Sequence, residues 1–439
     1  MRRFHIYITL LCLSLCASSH AQFYTLQQCL EEGLMNNYSL RISRNEMQIA
    51  KNNATWGNAG FLPTVDVSAG YNTTTNSTNT KSQTEGTTKD RRAFDQTIDV
   101  GVDLNWTIFD GFNITTTYKE LQILKQQGEI NTRIAIEDFI ATLTAEYYNY
   151  IQQEIRLKNF KNTMSLSKER LRIVEERYHI GDFSRLDYLQ AMVDFNADST
   201  QYMKQQELVH TSRINLNELM AIRDIDRPIQ VQDSLIDLKH VLDFSELWES
   251  TLATNASLLR ANQNADLAQL DYKKVLSRNY PYLRLNAGYG YTSNKYDVSN
   301  DIRRRDNWGF RGGLTIGFNI FDGNRKRERK NASLSIRNAQ LERQQLKQSL
   351  RADLSNLWQA YQNNIQILVM ERQNIIAAKE NYDAAKDRYL LGDLSGVAMR
   401  EAQVSLSDAE ERILSAEYET KMCEISLLQL SGKITYYLE

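Results

Sequence analysis

The chain has 439 residues, 52 basic and 54 acidic, with 42% hydrophobic residues and a mean hydropathy of −0.51. A polytopic helical membrane protein needs repeated apolar runs of about 20 residues, which a mean this low cannot hold, and a near-balanced charge does not suggest nucleic acid as a partner. Four Cys exclude a disulfide framework, and only 3 Pro over this length favour long unbroken helices.

Residues 1–21 read as a secretory signal peptide. Arg2 and Arg3 supply the positive end, Ile6 through Leu15 a short apolar core, and Ser19-His20-Ala21 a small-x-small cleavage site. Cys12 and Cys16 would leave with it. Cys29 and Cys423 remain; export permits a disulfide between them, their spacing gives no support for one, and two buried free thiols are the alternative.

Residues 25–58 carry a helical pattern with Leu26, Leu30, Leu34, Leu40, Ile42 and Ile49 on one side, opened by Thr25 and Gln28 as a capping box. After Pro63 the pattern changes to period two. Val65, Val67, Ala69 and Tyr71 alternate with polar or small residues, as do Ile98, Val100, Val102, Leu104, Trp106 and Ile108. The stretch between them, residues 72–92, is rich in Thr, Asn and Ser and reads as an outward-facing loop. A long helix is expected over 113–180, with an apolar seam from Ile136 through Tyr178, ending at Gly181-Asp182. At 1.5 Å per residue it is on the order of 100 Å long. Ser184 caps a return helix to residue 220.

The second half repeats this order. Phe244–Arg278 is helical, and Pro281 opens a run ending Ala287-Gly288-Tyr289, as Pro63 opens one ending Ala69-Gly70-Tyr71. Ile320-Phe321-Asp322-Gly323 matches Ile108-Phe109-Asp110-Gly111. Arg388-Tyr389-x-x-Gly392-Asp393-x-Ser395 matches Arg177-Tyr178-x-x-Gly181-Asp182-x-Ser184. Three matches in one order mean a duplication. The expected organisation is therefore a first repeat over 22–223 (helix, β-hairpin 62–109, long helix 113–180, return helix 184–220) and a link over 224–242. The second repeat follows over 243–439 (helix, β-hairpin 281–321, long helix 325–391, return helix 395–430).

The alternating runs approach the length of membrane-spanning strands, with aromatics toward their ends and isolated charges (Asp66, Asp99, Asp103, Arg284, Arg311) on the polar face. The residues between the run after Pro281 and a fourth alternating run, Trp308 to Ile320, read as a second outward loop over 292–306, ending in Arg303, Arg304 and Arg305. Four strands cannot close a barrel, and an open edge in hydrocarbon leaves backbone groups unpaired at several kcal/mol each. Two copies would give eight strands and a filled interior, three would give twelve and a channel. The expectation is a mixed α and β membrane protein that oligomerises, with pore logic favouring a trimer. A periplasmic coiled-coil scaffold or adaptor is the alternative.

With these parts in place, the chain resembles the TolC-type outer-membrane efflux ducts over essentially its whole length. The duplication, the two FDG motifs, and the paired stretches RYHIGDFSRLDYLQA and RYLLGDLSGVAMREA carry the resemblance. It implies a homotrimer with a twelve-stranded β-barrel in the outer membrane, continued by an α-helical tunnel in the periplasm. It implies an export duct of a tripartite efflux pump or type I secretion system, in contact with outer-membrane lipid. Its partners would be a periplasmic adaptor and a proton-driven or ATP-driven inner-membrane pump. The helix-turn tips, with Arg177, Gly181, Ser184, Arg388, Gly392 and Ser395, would dock the adaptor. Acids past the turns would ring a closed mouth. By position these are Asp187, with Gln190 following it, and Glu401, with Ala398 where the second repeat lacks an acid. Asp182 and Asp393 are further gate candidates. No Gly-rich phosphate loop, metal-spaced Cys/His set or nucleophile motif is present, so neither enzyme activity nor a cofactor is expected.

Overall fold

A computed structural model describes residues 22–82, 86–233, 235–238, 242–297 and 302–438. The signal peptide read over 1–21 lies outside the described residues, as do residues 234 and 239–241 of the link. The chain divides into two compact units.

One unit comprises the described residues of Met1–Arg44, Asn131–Leu258 and Leu346–Glu439. Strand β1 (Gln22–Tyr24) leads into helix α1 (Leu26–Asn36), which Thr25 and Gln28 open with a capping box. The helical pattern read as continuous to residue 58 is broken. Helix α2 spans Tyr38–Asn53 and a short α3 spans Trp56–Ala59. Asn37 makes the first break. Its backbone N–H closes α1 on Gly33 O, and its side-chain oxygen accepts from Leu40 N–H at 3.2 Å to open α2. Its amide donates to Leu219 O at 3.0 Å, at the end of α5 (Arg185–Leu219). The second repeat does the same at Asn255, between α6 (Phe244–Thr254) and α7 (Ala256–Ser277). There Asn255 accepts from Leu258 N–H and donates to Leu430 O, both at 3.0 Å. The shared letters Asn-x-Ser-Leu at 37–40 and 255–258 are a fourth repeat match. One amide therefore caps a helix start and satisfies a carbonyl at a helix end.

The core of this unit gathers Leu30, Leu40, Ile140, Leu143, Tyr147, Ile151, Leu216 and Met220, all essentially fully buried. Gly33 is required here, because a Cβ would fall 2.4 Å from Phe139 Cζ. The long helices are α4 (Asn113–His179) and α8 (Arg325–Leu390), returning through α5 and α9 (Gly396–Leu430). Part of each long helix lies in either unit. Within the link, β4 (Ile229–Val231) pairs in parallel with β1. After α9 a single 3₁₀ segment, Ile434–Leu438, brings in Tyr437. Its hydroxyl donates to Glu424 Oε1 at 3.0 Å, and its ring and that of Tyr148 flank Lys421. Lys421 and Glu424, 1% and 0% exposed, pair at 2.9 Å, so each buried charge has its counter-ion. Cys29 and Cys423 are free thiols, and burial, reinforced by Asp233, pushes the Cys29 thiol up to about 12.

The other unit comprises Asn45–Ile130 and Leu259–Gln345. It holds one antiparallel sheet in the order β2-β3-β5-β6, with β2 Thr64–Ser82, β3 Gly86–Asp110, β5 Tyr282–Lys295 and β6 Arg304–Gly317. Three expectations need correction. The supposed loop over 72–92 is mostly strand, since pairing runs on to Ser82↔Gly86. Its Thr residues are β-branched and suit a ladder as well as a loop. The loop read over 292–306 is likewise shorter, because β5 runs to Lys295 and β6 begins at Arg304. At the other end of the hairpin read to residue 321, pairing stops at Tyr282↔Gly317. Phe318 and Ile320 keep the alternation but have no opposite residue on β5.

The register confirms the two faces. Val67, Val102, Tyr289 and Phe310 form one row across the strands, and Asp66, Asp103, Gly288 and Arg311 form the next row on the opposite face. Arg311 lies over Gly288 and donates to Asp103 through Nε at 3.1 Å, where a Cβ on Gly288 would sit 2.4 Å from the carboxylate. The FDG motifs turn strand into helix. Asp110 accepts from Ile114 N–H at 3.0 Å, and Gly111 takes φ +71° where a Cβ would meet Ser277 O at 2.2 Å. Asp322 accepts from Asn324 N–H at 2.9 Å, and nothing crowds Gly323.

Two outcomes are expected. Asn37→Ala and Asn255→Ala should each cost about 1–2 kcal/mol in thermal unfolding followed by helical circular dichroism, with Asp intermediate because it keeps the acceptor and loses the donor. Burial pushes the Glu410 carboxyl up against the opposing pull of Lys379. The folded state then holds that proton above the pH at which the unfolded chain releases it, so this group's contribution to stability falls as pH rises past the ordinary carboxylate range. Glu410→Gln should raise the unfolding temperature at pH 7 and have little effect at pH 4.

Candidate gate and docking site at the helix tips

The two helix turns lie in the first unit and share one backbone design. At the first, Gly181 N–H donates to Tyr178 O at 3.0 Å and Asp182 N–H to Arg177 O at 2.9 Å. At the second, Gly392 N–H donates to Tyr389 O at 3.1 Å and Asp393 N–H to Arg388 O at 3.0 Å. Gly181 and Gly392 take φ +84° and +85°, the left-handed C′ residue of a Schellman motif. Ser184 and Ser395 then accept from the N–H three residues on and start α5 and α9.

Side chains make the two tips unlike. Asp187 completes a capping box, its Oδ2 accepting from Ser184 N–H at 3.0 Å and from Ser184 Oγ at 2.6 Å. The second repeat has Ala398 there, so Ser395 caps alone. Arg177 lies over the Phe183 ring and donates to Leu390 O at 3.3 Å, joining first tip to second. Arg388 instead pairs with Asp393 at 3.1 Å. Asp182 and Gln190 are exposed. Glu401 is exposed on the first turns of α9, while its neighbour Arg400 turns inward. The sequence-selected acids are thus divided between a helix cap (Asp187), a surface ion pair (Asp393) and two solvated positions (Asp182, Glu401).

Behind the tips lies a cluster that the sequence reading missed. Asp194 and Asp198, one turn apart on α5, are buried. Arg400 of α9 donates to both oxygens of Asp198, at 2.6 and 2.8 Å. Arg170 of α4 pairs with Asp194, and Ser167 donates to Asp198. Gln190 donates to Asp194 at 3.1 Å, and Gln403 to Ser167 at 2.9 Å. Two Arg and two Asp leave the cluster neutral, and the bidentate Arg400–Asp198 pair fixes its geometry. Three helices from both repeats are joined there. A signal did exist. Ala191, Asp194, Asp198, Gln205 and Ser212 follow seam spacing along α5, so acids occupy positions where an apolar residue is the rule.

A cavity of about 700 Å³ opens between the tips, lined by Arg170, Phe183, Asp187, Tyr389, Leu394 and Arg400. Tyr389 is buried in its wall. Burial pushes its hydroxyl up, with Arg170 and Arg177 opposing, and among the described residues that hydroxyl has no hydrogen-bond partner. Around the mouth Ile180, Leu186, Leu391 and Val397 are exposed. No group of three or more metal-ligating side chains occurs among the described residues. Arg400→Met should cost about 3 kcal/mol in thermal unfolding, because it strands Asp198. Pairing it with Asp198→Asn should recover part of that loss.

The profile of the family described as Outer membrane efflux protein matches residues 29–221 and 247–433, one block in each repeat. The outer membrane protein TolC of Vibrio cholerae serotype O1 is 22% identical over 310 residues, 68% of either chain. The outer membrane efflux protein BepC of Brucella suis biovar 1 is 21% identical over 417 residues, 94% of this chain and 86% of that one. Among solved structures, the Campylobacter jejuni CmeC outer membrane channel has the same fold, with a TM-score of 0.77 at 17% identity over 93% of this chain and 85% of that chain.

Proposed function

The chain belongs to the outer membrane efflux protein family and is an outer-membrane efflux duct, and from that membership we propose that three copies close one twelve-stranded barrel and one α-helical tunnel. The observation that carries this reading is the sheet itself. Strands β2 and β6 are its two edges, and its apolar side, with Val67, Tyr289, Trp308, Phe310 and Ile316, is exposed. A membrane satisfies the exposed face, and only edge-to-edge pairing with further copies satisfies the edges. Three copies place the row of Asp66, Asp103 and Arg311 around a water-filled interior rather than in a packed one.

The tips form the periplasmic mouth in this reading. Symmetry repeats each tip carboxylate three times about a narrow axis, which favours cations and resists anions. Glu401 suits the gate best, since its carboxylate is exposed and uncommitted to a cap, whereas Asp187 is engaged by Ser184. Asp182 and Asp393 lie nearer the turns and serve the same field. Arg177, Gly181, Ser184, Arg388, Gly392 and Ser395 shape the surface that docks a periplasmic adaptor, and the exposed apolar residues Ile180, Leu186, Leu391 and Val397 supply its contact area. The adaptor connects the duct to an energised inner-membrane pump, proton-driven or ATP-driven. The duct is passive, and cargo selection lies mainly with the pump. The domain divisions follow: a cleaved signal peptide, two repeats that each give a hairpin to the barrel and a helix pair to the tunnel, and the link over 224–242.

Planar-bilayer recording tests the mouth. The protein should insert and conduct with a preference for cations. Glu401→Gln should weaken that preference and relieve block by divalent ions. An unaltered selectivity and block would remove Glu401 from the gate.

A further inference from the structure

Helix α8 opens on Arg325-Lys326-Arg327-Glu328-Arg329-Lys330. Two of these six side chains are used within the unit. Arg325 donates to Asn319 O at 2.6 Å, and Glu328 pairs with Arg278 at 2.6 Å. The other four, Lys326, Arg327, Arg329 and Lys330, are exposed, and among the described residues none has an ion-pair partner.

The fold does not require these cations. Aligning Asp322 with Asp110 places Ile114, Thr115, Thr117 and Tyr118 at the corresponding positions of the first repeat, where the same strand-to-helix transition is made without charge. Cations in the opening turns also oppose the helix dipole, so the run stands against local preference. Its position supplies the reason. Shortly before it lie Phe318, Ile320 and Phe321, which are 55%, 87% and 85% exposed just past the end of β6. Apolar strand, then aromatic side chains, then Lys and Arg is the order in which a chain leaves hydrocarbon for water.

We propose that Lys326, Arg327, Arg329 and Lys330 bind the phosphate headgroups of anionic phospholipid in the periplasm-facing leaflet of the outer membrane, and so set the depth of the barrel. The inference rests on the barrel reading above. A run of four unpaired cations beside a membrane surface complements anionic headgroups, each cation adding to the attraction. A second copy of the chain is the competing occupant. Pairing of edge β6 with edge β2 of that copy would bring residues 45–63 toward the run. That stretch holds one acid, Glu46, and one base, Lys51, and so offers no net counter-charge.

The test uses the full-length assembly in neutral detergent, titrated with phosphatidylglycerol, with phosphatidylcholine and with inorganic phosphate, and read by native mass spectrometry. Wild type should retain phosphatidylglycerol over phosphatidylcholine by about tenfold. The combined variant Lys326→Gln, Arg327→Gln, Arg329→Gln and Lys330→Gln should lose that preference while keeping its oligomeric mass and its conductance. Lys326→Arg with Lys330→Arg should retain it. Equal retention of the two lipids by wild type, or an unchanged preference in the neutralised variant, overturns the proposal. Inorganic phosphate displacing phosphatidylglycerol at equal concentration overturns the assignment to lipid. A wild-type protein that neither oligomerises nor conducts overturns the barrel reading, and this inference with it.

Discussion

Backbone pairing in hydrocarbon is the constraint on which everything else depends. Among the described residues the chain supplies one four-stranded antiparallel sheet, in the order β2-β3-β5-β6. Each unpaired N–H or C=O at the outer edges of β2 and β6 would cost several kcal/mol inside a membrane. Water would satisfy those edges but would leave Phe310, Leu314 and Ile316 exposed beside them. The proposed barrel would satisfy both, pairing the edges and giving the apolar face to lipid. In the proposed barrel its polar face, where Asp103 holds Arg311 flat across Gly288, would line the aqueous interior.

Duplication gives one chain its two hairpins, and the copies then diverge in their side chains. Both repeats keep the same backbone devices. An Asn breaks the first helix and caps the next, the Asp of each FDG motif accepts from an N–H just beyond it, and a left-handed Gly ends the long helix. Side chains then depart from symmetry. The first tip has a capping box at Asp187 and the second an open position at Ala398. The first helix top has Ile114 and Thr115 where the second has Lys326 and Arg327. Between the tips, Arg170, Asp194, Asp198 and Arg400 bind α4, α5 and α9 into one neutral cluster.

Much of this was legible in the letters. Period-two alternation located the strands and their faces, because side-chain direction in a strand depends on parity alone. Gly-Asp followed by Ser marked both turns, because few other residues accept a left-handed backbone or cap a helix. Three features were legible in part or not at all. The breaks at Asn37 and Asn255 were hidden because apolar spacing continues across them, and the deciding bonds reach Leu219 and Leu430, far along the chain. The strands over 72–82 and 86–92 read as a loop, because composition alone does not distinguish a Thr-rich strand from a Thr-rich turn. The ion cluster was missed because Arg170 and Arg400 meet Asp194 and Asp198 only after three helices have packed.

The most direct test of closure is the mass of the assembly before and after heating. Protein extracted in mild detergent and run in sodium dodecyl sulfate without boiling should migrate as a complex of three chains and fall to one chain on boiling, because a closed ladder has no edge for detergent to enter. A complex that is monomeric under native extraction, or whose native mass corresponds to two chains, would contradict the account.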